Sequence, residues 1–213
     1  FGSPGAGKTT FMKHIGLLLN RSEIIPGCIP VFISLKDFQD QYGDVNLKNC
    51  VFDFFRNSNV IEEEVEKLLM YSKVVFLLDG LDEVSDTNFS EVVKQIKQLS
   101  QRFRNNRFII TCRLAAHEYK FENFVEAEVC DFTDEQINSF VKSWFSAQKK
   151  SKNAIRFLER LKVEPKIKEL ASNPLLLTLL CIVFGDSGDF PQNRAELYEE
   201  GIDVLLRKWD ASR

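Results

Sequence analysis

Residues Gly2-Ser3-Pro4-Gly5-Ala6-Gly7-Lys8-Thr9-Thr10 constrain the fold more than any other stretch of the chain. Gly2, Gly7, Lys8 and Thr9 satisfy the spacing G-x-x-x-x-G-K-[ST] of a phosphate-binding loop. Glycines let the backbone wrap closely round a polyphosphate with its N–H groups pointing inward. A helix starting at the loop adds the partial positive charge of its N-terminus. Phe11, Met12, Ile15, Leu18 and Leu19 follow at helical spacing and predict that helix, fading near Asn20-Arg21. The nine loop residues from Gly2 to Thr10 are therefore candidate phosphate ligands. Lys8 is expected to reach the β- and γ-phosphates, and the Thr9 hydroxyl to bind Mg²⁺.

Such a loop follows a central strand of a parallel sheet. Only Phe1 precedes it here, so the expectation is a first central strand largely missing, in an excerpt of a longer polypeptide. Residues 29–35 read as a strand with an early proline, and residues 46–57 and 61–71 as helices. Residues 73–79 form a continuous apolar strand; one apolar on both faces belongs in the middle of a parallel sheet covered by helices. Phe89, Val92, Val93, Ile96, Leu99 and Phe103 make a helical stripe. Residues 107–112 read as another buried strand, and Ala127-Glu128-Val129 as a short one. Alternating helices and strands predict the α/β class.

The pattern changes at Asp131. Thr133-Asp134-Glu135-Gln136 spells a capping box, with Ile137, Phe140, Val141, Trp144 and Phe145 as its stripe. Helices are then expected over 154–161, 166–172, 175–184 and 194–209, the last two separated by the loop Gly185-Asp186-Ser187-Gly188-Asp189. The expected organisation is a nucleotide-binding α/β domain over 1–130 and an all-α helical subdomain over 131–213.

Composition narrows the classes. The chain has 213 residues, 44% hydrophobic with 19 Phe, enough to fill a sizeable core. A net charge of −3 lacks the basic surplus of a nucleic-acid binder, and Lys149-Lys150-Ser151-Lys152 reads as a solvated helix end. Five cysteines without C-x-x-C spacing suggest neither a disulfide framework nor a zinc site, which fits a reducing, cytoplasmic setting. Cys112 and Cys181 read as small core residues. His14 and His117 lack ligand-like partners and suit surface or capping roles. No signal peptide is visible. The apolar run over 175–184 is too short to span a bilayer, so a buried helix is expected there, with no direct membrane contact.

Asp79 ends the apolar strand and opens Asp79-Gly80-Leu81-Asp82-Glu83. Ligands of open α/β sheets bind at the carboxyl ends of strands, where Asp79 would hold Mg²⁺ directly or through water. Gly80 would turn the chain so that Asp82 or Glu83 orients or deprotonates an attacking water. Residues 108–113 repeat the geometry, with polar Thr111 and Arg113 at the same edge, and Arg113 as a γ-phosphate contact. Pro174 suits the first turn of a helix, and nothing physical assigns it a ligand.

Together these residues resemble the NACHT NTPases, of the STAND class of signalling P-loop ATPases that includes the NOD-like receptors. The resemblance rests on residues 2–10 and on 74–83, whose Gly after the aspartate looks like the NACHT form of Walker B. Ile110-Thr111-Cys112-Arg113 looks like the sensor 1 strand, Ser172-Asn173-Pro174 with the leucines after it like the proline motif, and residues 194–200 and 205–210 like the closing helix of many NACHT segments, particularly bacterial-type ones. It implies that Pro174 lies against the nucleotide base. It implies a switch: ADP holds a closed monomer, and exchange for ATP permits self-oligomerisation through the nucleotide-binding domain. Hydrolysis would be slow, the nucleotide would be held between two bodies, and sensor and effector domains would lie outside this segment. ATP and ADP are the expected nucleotides, with no motif that excludes GTP. Three alternatives remain: an AAA+-type motor taking Arg102, Arg104 or Arg107 in trans, against which Asp79-Gly80 argues; a small-molecule kinase, for which no arginine-rich lid is visible; and a scaffold that binds ATP without hydrolysing it.

Overall fold

A computed structural model describes residues 1–37, 46–113 and 121–210. His117 lies outside them. The chain divides into two compact units: Phe1–Ser3 with Lys8–Glu128, and Pro4–Gly7 with Val129–Arg213.

The first unit is a parallel sheet flanked by helices. Its strands β1 (Ile29–Ser34), β2 (Val74–Asp79) and β3 (Arg107–Ile110) lie in the order β1-β2-β3. The helices are α1 (Lys8–Asn20), α2 (Leu47–Arg56), α3 (Glu62–Met70) and α4 (Asp86–Arg102). Every residue of β2 is buried, as its run of apolar side chains predicts. Successive side chains of a strand point to opposite faces, and the packing follows that alternation. Val74, Phe76 and Leu78 join the cluster formed by α2, α3 and α4, while Val75 and Leu77 pack with Met12 and Leu19 of α1. Phe76 and its register partner Phe108 stack at 4.6 Å between centroids. Pro30, which has no N–H to give a ladder, sits on β1, one of the two outer strands of the three.

Three polar residues in the described structure are buried as whole residues: Asn106, Asp79 and Thr111. Asn106 closes the amino end of the sheet, accepting from Val74 N–H at 3.1 Å and donating to Leu69 O at 2.6 Å. Asp79 and Thr111 lie at the carboxyl end.

The strand expected at Ala127-Glu128-Val129 does not form. A short apolar alternation becomes a strand only when a neighbour completes its ladder. No strand pairs with these residues in the described structure, and the Phe1 amino group donates to Ala127 O at 2.7 Å.

The second unit is helical: α5 (Asp134–Ala147), α6 (Ser151–Val163), α7 (Pro165–Ala171), α8 (Pro174–Ser187) and α9 (Arg194–Asp210). The capping box forms as expected, with Thr133 and Gln136 bonded reciprocally. Pro165 and Pro174 occupy first-turn positions. Helix α8 is apolar nearly all round and is the buried core helix, holding Leu176, Leu177, Leu180, Cys181, Val183 and Phe184. It continues through Gly185 to Ser187, beyond the expected end at Phe184. The stop is set by Gly188 in the left-handed region, whose N–H bonds Phe184 O. Phe145, Phe157, Phe184 and Phe190 pack edge to face or tilted around one another. Among the described residues no single helix is long and apolar enough to cross a membrane.

Candidate functional site

The candidate site of the first unit is built where β2 and β3 end. Pairing continues past Ile110: Thr111 N–H donates to Leu78 O at 3.0 Å, and Leu81 N–H to Thr111 O at 2.9 Å. Gly2 pairs with Arg113 in a parallel bridge. The chain entering the phosphate loop therefore lies beside the outgoing end of β3, on the same edge as Asp79.

Lys8 Nζ donates to Gly2 O at 2.8 Å and Ser3 O at 3.0 Å, so the ammonium is held at the loop's entry. Thr9 and Thr10 are exposed in the first turn of α1. That turn carries no acidic side chain, so no carboxylate of the helix neutralises its positive end.

Asp79 is 8% exposed. Thr111 Oγ1 donates to its Oδ1 at 2.6 Å and accepts from Gly80 N–H at 2.8 Å. The chain then turns at Gly80 into a short 3₁₀ segment, Leu81–Glu83, and the two acids there separate. Asp82, with a side chain only 6% exposed, accepts from Arg113 N–H at 2.9 Å and pairs with Arg113 Nε at 2.9 Å. Glu83 is 46% exposed and lies 3.8 Å from the same guanidinium. Asp82 is thus committed to Arg113, and Glu83 is the more available carboxylate. The neighbouring Cys112 thiol is held above its ordinary pKa, chiefly by burial and then by the negative charge of Asp82. Arg102, Arg104 and Arg107 sit at the opposite, amino end of β3.

In the second unit Asn173 holds the loop residues. Its Oδ1 accepts from Leu175 N–H and Leu176 N–H, capping α8, while its Nδ2 donates to Pro4 O at 3.1 Å. Leu175 N–H also reaches Gly5 O at 3.3 Å. Gly5 and Gly7 have φ of 78° and 84°. A Cβ on Gly5 would stand 2.9 Å from both Asn173 Oδ1 and Leu175 Cβ; one on Gly7 would meet nothing within 4 Å. Gly5→Ala is therefore expected to destabilise the fold by about 2–4 kcal/mol, combining backbone strain with a clash. Gly7→Ala should cost only the backbone part, about 1–2 kcal/mol. Thermal melts of the two variants check the order; equal losses would contradict the close approach at Gly5.

The donors fit a magnesium nucleotide. In the first unit Lys8 supplies a cation and α1 an N-terminus with no acidic side chain in its first turn. Thr9 and Asp79 supply hard oxygen donors, and Mg²⁺ needs only one or two protein ligands when phosphates and water complete its shell. Two further residues matter that sequence reasoning left without a role. Thr111 was legible only as a polar strand end; Asn173 had a signal, the asparagine preference at a helix N-cap, overshadowed by Pro174.

The model of the NACHT domain family matches residues 1–148. The Mus musculus protein named NLR family CARD domain-containing protein 4 is 22% identical over 219 residues, covering 97% of this chain and 20% of that protein. The Rattus norvegicus protein of the same name is 22% identical over 223 residues, with the same coverage. The chain spans about a fifth of the length of these curated relatives.

Proposed function

The chain belongs to the NACHT domain family, and we propose that it is the nucleotide-operated switch of a NOD-like signalling or defence protein, binding Mg-ATP or Mg-ADP and hydrolysing ATP slowly. The observation that carries this reading is the convergence, at one edge of a parallel sheet, of Gly2 and Lys8 with a buried Asp79 and the acids after it. In it, residues 2–10 cradle the phosphates through backbone N–H groups, and Lys8 turns from the Gly2 and Ser3 carbonyls to the β- and γ-oxygens. Thr9 and Asp79 would hold Mg²⁺, which would supply charge neutralisation to the phosphates. Glu83 orients the attacking water and takes its proton. Arg113, steadied by Asp82, faces the γ-phosphate, and Pro174 lies against the base.

Biologically, ADP favours a resting monomer and ATP an assembling form that oligomerises through the nucleotide-binding domain. A ligand shifts such an equilibrium only by its differential affinity for the two states. Sensor and effector domains lie outside this segment, and the setting is cytoplasmic. The names of the relatives, which contain "NLR family" and "CARD domain", support a signalling context of this kind.

The test is to measure turnover and particle mass of the full-length protein with ADP, ATP and a non-hydrolysable ATP analogue. Slow turnover, with larger particles in the analogue than in ADP, supports the switch. Rapid turnover stimulated by assembly would instead indicate a motor. Glu83→Gln should preserve nucleotide affinity and slow single-turnover hydrolysis by about 10²–10⁴-fold. An unchanged rate would move the water-orienting role from Glu83 to another group.

A further inference from the structure

Thr111 is bonded to four consecutive residues at the end of β2. Its N–H donates to Leu78 O and its carbonyl accepts from Leu81 N–H, as strand neighbours do. Its hydroxyl adds two bonds that no ladder requires: it donates to Asp79 Oδ1 at 2.6 Å and accepts from Gly80 N–H at 2.8 Å. A hydroxyl has one proton to give, and here that proton is committed to the carboxylate. Both side chains are buried, so water competes little for the bond. The contrast with Asn106 is informative. That buried amide also satisfies backbone groups, Val74 N–H at the start of β2, Leu69 O in the last turn of α3 and Phe103 O, so its hydrogen bonds go to main-chain atoms and not to a carboxylate.

We propose that Thr111 is a positioning residue for metal binding: its hydroxyl fixes the orientation of the Asp79 carboxylate and, through Gly80, the start of the turn that carries Asp82 and Glu83. With Oδ1 held by Thr111, the carboxylate is oriented before Mg²⁺ arrives, and ion binding need not order it. One hydroxyl thereby couples the metal carboxylate to the acidic turn. The proposal rests on the reading of Asp79 as the magnesium carboxylate.

The test uses the full-length protein, a fluorescent ATP analogue and titration with Mg²⁺. Thr111→Val removes the hydroxyl at nearly constant volume; Thr111→Ser keeps it and removes the methyl. Thr111→Val should raise the Mg²⁺ concentration for half-maximal response about 10–100-fold, the usual cost of losing a partner that orients a metal ligand. Its affinity for the analogue in EDTA should stay that of wild type, and Thr111→Ser should restore the Mg²⁺ response. A Thr111→Val protein with the wild-type Mg²⁺ response, or with affinity lowered equally with and without Mg²⁺, would overturn the proposal and leave Thr111 a purely structural residue. Should Thr111→Val not fold, Thr111→Ser decides against Thr111→Ala: a hydroxyl role predicts a shifted Mg²⁺ response in Ala alone, a packing role a shift in both. A wild-type protein that binds the analogue without responding to Mg²⁺ would instead overturn the reading of Asp79 itself.

Discussion

Lys8→Ala is expected to raise the dissociation constant for Mg-ATP about 100-fold. The ammonium would serve two phosphate oxygens, and a hydrogen bond to a charged group contributes roughly 1.5–3 kcal/mol. Two at the lower bound give about 3 kcal/mol, or two decades of affinity. In the structure Lys8 Nζ is bonded to Gly2 O and Ser3 O, so alanine also removes bonds that order the loop entry. Lys8→Met keeps an apolar stem and loses the ammonium together with those two bonds, so it separates the ammonium's part from the packing of the stem; the same loss of affinity is expected. Fluorescence titration measures both, and a wild-type dissociation constant in Lys8→Met would remove the lysine from the phosphate site.

Phe157→Ala is expected to cost the helical unit about 3–5 kcal/mol. The ring is fully buried and lies 6.0 Å from Phe145, 5.2 Å from Phe184 and 4.8 Å from Phe190 between centroids. Removing it leaves a cavity that three rigid rings cannot collapse to fill. For a unit of this size each kcal/mol lowers the melting temperature by roughly 4–8 °C, so a drop of well over 10 °C should appear in a thermal scan. Phe157→Leu should lose much less, since it refills most of the volume. A shift of only a degree or two in Phe157→Ala would contradict the central place given to this ring. Residues Pro4–Gly7 count with the same unit, so its loss would also withdraw the packing that holds the loop at Asn173.

Much of the fold could be read from local rules. The apolar run over 74–79 has no polar face to expose, and burial on both faces of β2 follows. Thr133 and Gln136 state their helix start in four residues, because a capping box is satisfied within its own turn. What could not be read depended on neighbours distant in sequence. Ala127-Glu128-Val129 looks like a strand by alternation, but a ladder is a property of two chains. The end of α8 was misplaced because Gly185 is tolerated inside a helix held by tertiary packing, whereas Gly188 takes the left-handed cap. At the candidate site, Asp82 and Glu83 are adjacent acids in the sequence; their burial and their distances to Arg113 distinguish them. Thr111 gains its proposed role from a hydroxyl contact across 32 positions. Asn173 reaches Pro4 across 169.

The proposal turns on Lys8, Thr9 and Asp79 serving one magnesium nucleotide. Calorimetry on the full-length protein, stripped of nucleotide and titrated with ATP, ADP and GTP with and without Mg²⁺, tests it most directly. Saturable one-site binding of ATP and ADP is expected, with ATP strengthened by Mg²⁺ and the strengthening lost in Asp79→Asn. Absence of saturable binding for all three nucleotides, or an unchanged Mg²⁺ effect in Asp79→Asn, would contradict it.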